Sequence, residues 1–296
     1  MKAQYENKVI SSVLLWLDNA VCTKGEAFTD HGSSFYDVGS QWYGYYSYGA
    51  PYKQFVPDFS IPDSAPTSPQ IPTGVHVSGV FRPKGVSGLV DIDYGNGHVY
   101  FDHEIAEGQI SGDYAVKDFN IYLTNKMEQD LLFETKVNVR PRTTTNPSAL
   151  ESNTITYPAI FVKNAGGRNE AFTLGGEDLT VSSIRTIVLA DSQFNLDAVC
   201  SIIRDKVRTN IPLIESNQYP FNTLGGYKDN LWLYEGGTSV YNYTGLISEI
   251  SNSVYVKDVF VSQFSANYIA EIKNVNPNVY SAIIDLELEK PRYPRL

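Results

Sequence analysis

Cysteine is scarce, and no apolar run is long enough to cross a membrane. Cys22 and Cys200 are the only two cysteines in 296 residues, and they lie far apart, outside any metal-ligand spacing. Because both occupy apolar helical positions, we predict buried free thiols. No stretch approaches the roughly 20 apolar residues of a membrane span, and the opening Met-Lys-Ala-Gln-Tyr-Glu has no secretory signal. These absences predict a soluble protein without a membrane partner, made in a reducing cytoplasm.

Motifs for catalysis and cofactor binding are also missing. The sequence has four histidines and contains no H-E-x-x-H, G-x-S-x-G or G-x-x-x-x-G-K-[ST]. The segment Asp91-Ile-Asp-Tyr-Gly-Asn-Gly97 resembles a calcium loop, but Asn96 stands where that loop requires glycine. Strand-like alternation and the dipeptide Asn96-Gly97 favour a β-hairpin with a type I′ turn instead. We therefore predict no enzyme activity, no metal site and no cofactor.

Positive charge is in the minority. The chain has 23 Lys and Arg against 33 Asp and Glu, a formal net charge of -10. Such a surface repels phosphate backbones, so we predict no tight binding to nucleic acid. The most basic short stretches are Val139–Arg142 and Lys290–Arg295. We predict that their arginines form solvated or interfacial ion pairs, and Arg292 and Arg295 are candidate interface residues.

Apolar residues, in contrast, are abundant and regularly spaced near the N-terminus. In residues 7–21 they recur at helical spacing and form a stripe so wide that another surface must cover it. The cover is either the protein's own sheet or a neighbouring subunit. We predict that residues 1–27 form a helix packed on the core, with interface candidates at Leu14, Trp16 and Leu17.

Residues 28–73 differ in composition, being rich in Pro, Tyr, Gly and Ser. The proline density between Pro57 and Pro72 excludes a helix and a central strand. We therefore predict an extended arm or long loop that lies across another surface, anchored by aromatic side chains. Such side chains suit protein interfaces as well as sugar stacking. The candidates are Trp42, Tyr43, Tyr45, Tyr46 and Tyr48.

Alternating apolar and polar residues dominate the rest of the chain. In 74–140 the alternation predicts an antiparallel β domain, a sandwich or a barrel. Residues 141–147 are the candidate boundary. Residues 148–296 combine apolar strands with an amphipathic helix capped by Ser192 or Asn195, and they end in a strand and a basic tail. The predicted fold is strand-dominated α+β, with the β domain inserted into an α+β core.

Seven segments resemble virion structural proteins of tailed bacteriophages: Val13–Asp18, Lys24–Thr29, Gly74–Phe81, Gly85–Tyr94, Asn96–Phe101, Ile184–Asp191 and Asn195–Val199. Within that group, the predicted order of helix, two strands, helix and strand is similar to head–tail neck and tail-terminator subunits. The resemblance implies a homo-oligomeric ring, a hexamer or dodecamer around the DNA channel, that joins head-completion proteins to the tail tube or sheath. It also implies a virion location after assembly in the host cytoplasm, with the inserted β domain outside the ring.

Two other functions stay open. A baseplate or fibre-type virion protein would use its β domain to bind a host-surface carbohydrate, with Trp42 as a stacking residue. An enzyme whose site carries no readable motif is the third hypothesis.

Overall fold

The computed structural model describes residues 4–61, 68–133, 139–141, 155–228, 240–264 and 279–293. Among these residues strand outweighs helix, 46% against 18%, which confirms the predicted strand-dominated α+β class. The helices are α1 (Tyr5–Lys24), α2 (Glu128–Phe133), α3 (Gln193–Arg204) and α4 (Tyr243–Ser248). The strands are β1 (Phe28–Ser34), β2 (Tyr36–Trp42), β3 (Tyr45–Gly49), β4 (Gly74–Val77), β5 (Val80–Pro83), β6 (Leu89–Asp93), β7 (His98–Phe101), β8 (Ile110–Lys117), β9 (Asn120–Leu123), β10 (Val139–Pro141), β11 (Ile155–Tyr157), β12 (Ala159–Ala171), β13 (Asp178–Ala190), β14 (Asn210–Pro212), β15 (Ser253–Phe264) and β16 (Tyr280–Arg292).

Two four-stranded antiparallel sheets follow α1 in the chain, with strand orders β1-β8-β4-β5 and β2-β3-β7-β6. Phe35 separates β1 from β2, so one continuous segment contributes to both sheets. Its ring is buried and lies edge-on to Phe55 and Tyr114, with ring centroids 6.3 and 5.7 Å away. The two sheets therefore contribute apolar residues to one core.

The arm predicted for 28–73 is wrong in its first part, where the structure has β1, β2 and β3. Tyr43 and Gly44 connect β2 to β3 with φ angles of 52° and 84°, the signs expected of a two-residue type I′ turn. Tyrosine has a high β propensity, so this Tyr- and Gly-rich stretch forms a hairpin. The proline-rich part agrees better with the prediction, because its described residues form no strand.

The boundaries of the inserted β domain differ from the predicted 74–140. Its two sheets begin at Phe28 and end at Lys117. The next strand, β9, pairs in parallel with β12 and belongs to a larger, six-stranded sheet. In chain order the two sheets still lie between α1 and all six strands of that larger sheet.

Alternation at 131–139 predicts a strand, but α2 occupies the first part of this stretch. Leu131 on α2 is buried in a small cluster with Phe161 and Leu189 of the six-stranded sheet. An apolar–polar alternation of only a few residues is compatible with a helix as well as with a strand. Packing of Leu131 on the six-stranded sheet favours the helix. Of the candidate boundary at 141–147, only residue 141 is among the described residues.

The six-stranded sheet has the order β14-β15-β16-β13-β12-β9 and is antiparallel except for β9. α1 and α3 pack against each other and on this sheet. α3 begins where the Ser192 hydroxyl accepts a hydrogen bond from the Asn195 amide at 3.2 Å, so Ser192 is the cap. Cys200 on α3 and Cys22 on α1 are buried and free, as predicted.

A long hairpin extends from the six-stranded sheet. β12 and β13 form it, and β13 pairs with β16 along its whole length. The outer half of β12, residues 164–171, is exposed, and no other described strand pairs with its free edge. At the tip, the side chains of Phe172 and Leu174 are exposed.

Candidate functional site

The apolar stripe of α1 is covered by the protein itself. Trp16 is 6% exposed and Leu17 is fully buried, and both belong to the main core. The interface role predicted for these two residues is therefore wrong, because a buried side chain cannot reach a neighbouring subunit. Leu14 is half-buried and lines a cleft.

The predicted tyrosine anchors of β3 lie partly or fully inside the protein. Tyr48 is buried; its hydroxyl donates to the Ile105 carbonyl at 2.9 Å and accepts from the Ile105 amide at 2.7 Å. Burial raises the pKa of Tyr48. The interface prediction is wrong for this residue, because its ring and hydroxyl are both used within the chain. Tyr45 and Tyr46 are half-buried.

Trp42 and Tyr43 are the predicted anchors that stay exposed, at 46% and 70%. Their rings meet edge to face, with centroids 5.3 Å apart. Trp42 ends β2 and pairs with Tyr45 of β3, so the hairpin determines the position of its indole.

The basic C-terminal stretch is used partly within the chain. The Arg292 guanidinium lies 4.2 Å from the ring centroid of Tyr5, and its Nε donates to the Thr180 hydroxyl at 2.6 Å. Pro291 and Arg292 continue β16, so the basic tail predicted after the last strand does not include these two residues. Outside the described residues lie the side chains of Arg140, Arg142 and Arg295.

A cleft of about 350 Å³ opens beside Trp42, where α1, the β6–β7 loop and residues 219–225 meet. Its buried lining contains an ion pair between Asp18 of α1 and Lys117 of β8. Its exposed lining includes Trp42 and Thr223. The cleft therefore combines an aromatic ring, a hydroxyl group and buried charges.

The β6–β7 loop is organised by Asp93. One carboxylate oxygen accepts hydrogen bonds from the amides of Gly95 and Asn96, both at 3.0 Å. The other accepts from the Asn96 side chain at 2.7 Å and from the Tyr100 hydroxyl at 3.2 Å. In this loop only Gly97 has a positive φ, 69°, so the type I′ turn predicted at Asn96-Gly97 is wrong. The amide contacts of Asp93 stabilise a longer loop instead.

The residues 219–225 are anchored on this loop from the other side. The buried Asp91 accepts a hydrogen bond from the Asn222 side chain at 2.6 Å. A Cβ on Gly226 would lie 1.9 Å from Asp91, and one on Gly225 would lie 2.3 Å from Asp93. Only glycine permits so close an approach, so the two walls of the cleft are held in a defined position.

The acidic residues of β6 are engaged in protein contacts. Asp91 forms an ion pair with Lys84 at 2.9 Å. Within the described part of the chain, no three His, Cys, Asp or Glu side chains are grouped as a metal site would require.

Sequence reasoning found Trp42 but missed most of the cleft. Asp18 and Lys117 are 99 residues apart and belong to no motif. The pair Gly225-Gly226 marks a turn in the sequence, and nothing in the sequence indicates that it approaches the β6–β7 loop. These residues come together only through packing.

Among the helices of the described residues, none is both long and apolar enough to cross a membrane. No protein-family model matches the sequence, and no curated protein matches it. Function is therefore inferred from the residues and their geometry.

Proposed function

We propose that the protein is a structural virion subunit of a tailed phage, which forms a hexameric or dodecameric ring at the head–tail interface as a neck or tail-terminator protein. It joins head-completion proteins to the tail tube or sheath. Support comes from the order α1, β12, β13, α3, β15 and β16, with both helices packed on one sheet. Among these elements, the first five follow the helix–strand–strand–helix–strand order of the phage subunits that the sequence resembles, and β16 is one further strand.

The observation that carries the proposal is the hairpin of β12 and β13. Phe172 at its tip is 54% exposed, and Leu174 is fully exposed. Fully burying an apolar side chain of this size contributes about 1.5–3 kcal/mol, and a neighbouring subunit would provide that burial. A projecting hairpin with an apolar tip is therefore suited to contact between subunits.

The free edge of the hairpin supports the same role. Along residues 164–171 no described strand pairs with the outer edge of β12, so this edge is available to another strand. Arg168 and Glu170 lie on this edge and form an exposed ion pair at 2.5 Å. Charged side chains on an edge strand suppress unselective pairing, so the edge favours a defined neighbour over aggregation.

The test is the oligomeric state in solution. Native mass spectrometry of the intact chain, with neighbouring virion proteins added, should show a hexamer or dodecamer. Replacing both Phe172 and Leu174 with serine should shift the protein to the monomer. Val86→Ser is the matched control, because it removes a 50% exposed apolar side chain outside the hairpin and should keep the ring. A wild-type protein that stays monomeric contradicts the proposal.

A reconstruction of the intact particle tests the position of the ring. The chain should account for density between the portal and the tail tube, with the hairpin of β12 and β13 in contact with the next copy. Density in a baseplate or a fibre would contradict the neck assignment.

A further inference from the structure

The cleft beside Trp42 has the size and rigidity of a small-molecule site. Its volume of about 350 Å³ lies within the range of roughly 300–1,000 Å³ that is typical of ligand pockets. The hairpin fixes the position of Trp42, and the close approach of Gly225-Gly226 to β6 fixes the wall that contains Gly225. A ligand therefore meets a preformed site, which lowers the entropic cost of binding.

Two polar groups of the lining are available to a ligand. Asn96 donates its side-chain NH₂ to Asp93 at 2.7 Å, so its carbonyl oxygen lies on the other side of the amide group. Neither this oxygen nor the exposed hydroxyl of Thr223 has a hydrogen-bond partner among the described residues. The lining thus presents an acceptor and a hydroxyl near an exposed indole.

The buried charges of the cleft disfavour an apolar occupant. Asp18 and Lys117 are each 8% exposed and line the cleft. An apolar side chain would shield this pair further from solvent and return no hydrogen bond. Hydroxyl groups can donate and accept hydrogen bonds there. Because the carboxylates of Asp18 and Asp93 outnumber the ammonium of Lys117, an anionic ligand is repelled.

We propose that this cleft binds a neutral saccharide, with a pyranose ring on Trp42 and its hydroxyls hydrogen-bonded to Asn96 and Thr223. The weakly positive C–H face of a pyranose complements the negative face of the indole. The half-buried rings of Tyr219 and Phe221 add apolar contact area to the same cleft. The site lies within one chain and does not depend on ring formation.

The experiment is a glycan array that contains neutral, sialylated and sulfated oligosaccharides, followed by calorimetric titration with the best neutral ligand. Trp42→Ala should weaken binding at least about tenfold, because the stacking surface is lost. Trp42→Phe keeps an aromatic face and should retain most of the affinity. Phe81→Ala is the matched control, since it removes a 49% exposed aromatic side chain outside the cleft.

A second variant separates binding from folding. Thr223→Val preserves the shape of the side chain, removes its hydroxyl, and should weaken binding about fivefold. If Trp42→Ala does not fold in thermal melts, Thr223→Val decides. Binding of no neutral glycan, binding confined to charged glycans, or affinity unchanged in a folded Trp42→Ala or in Thr223→Val would overturn the proposal. Native mass spectrometry of the same samples reports ring formation separately, so the two proposals fail independently.

Discussion

Lys117 and Asp18 form an ion pair that joins β8 to α1 beside the cleft. Each residue is only 8% exposed. Lys117 donates the one hydrogen bond that the Asp18 carboxylate accepts within the described residues. Replacing Lys117 with methionine keeps most of the side-chain volume but leaves the carboxylate buried without its cation. This substitution therefore measures how much the fold depends on the pair.

Removing one partner of a buried ion pair costs about 3–5 kcal/mol. The adjacent cleft gives water some access, so we expect the lower end, about 3 kcal/mol. At roughly 2–4 °C per kcal/mol for a domain of this size, the melting temperature should fall by about 6–12 °C. Removing both charges, as in Lys117→Met with Asp18→Leu, should restore most of the loss because no charge is left buried.

Urea unfolding followed by tryptophan fluorescence provides the measurement, because Trp16 is buried in the main core. Arg168→Met is the control. It breaks an ion pair with Glu170 and a longer one, 3.6 Å, with Glu287. Because the Arg168 side chain is 58% exposed, this change should cost less than about 1 kcal/mol. A loss below about 1 kcal/mol for Lys117→Met would refute the reasoning. So would a double variant that is no more stable than Lys117→Met alone.

Two further predictions concern titratable groups. A hydrogen bond from its own amide, together with Lys163 and Arg185, lowers the pKa of Glu128 from 4.5 to about 2. The ionised carboxylate stabilises the fold above pH 4.5, and this stabilisation is lost as the pH falls towards 2. The free energies of unfolding of wild type and Glu128→Gln should therefore differ by on the order of 1 kcal/mol near neutral pH and converge in acid. Urea titrations that give the same difference at every pH would contradict this. Burial raises the pKa of the thiols of Cys22 and Cys200. Neither thiol should therefore react with Ellman's reagent until urea unfolds the protein. Stoichiometric reaction of the native protein would contradict the burial of the thiols.

The elements that sequence patterns predicted well are those whose signal is local. The 3.6-residue stripe of α1 requires only that one side be apolar, so the helix could be predicted without knowing which surface covers it. The cap at Ser192 depends on a hydrogen bond to a residue three positions away. Strand alternation likewise predicted the strand-dominated class. By contrast, proline density near residues 57–72 led to an arm that also included 28–49, where tyrosines and a two-residue turn form strands.

The residues that form the cleft lie far apart in the chain. They come together through tertiary packing, which local sequence patterns do not predict. Trp42 was found because its aromatic neighbourhood is unusual in composition. Whether Tyr48 is an interface residue depends on Ile105, which lies 57 positions away. Gly225 and Gly226 approach Asp93 and Asp91 so closely that no Cβ would fit, and this contact also depends on the tertiary structure.

The sequence by itself determined the strand-dominated α+β class, the two amphipathic helices and the burial of both thiols. Those properties follow from residue type and spacing over a few turns or strands. Tertiary structure alone decided that α1 is covered from within and that Trp42 remains exposed. It also decided that Asp18 meets Lys117 beside the cleft. Each of these depends on which distant surfaces bury the most apolar area while leaving no charge unpaired.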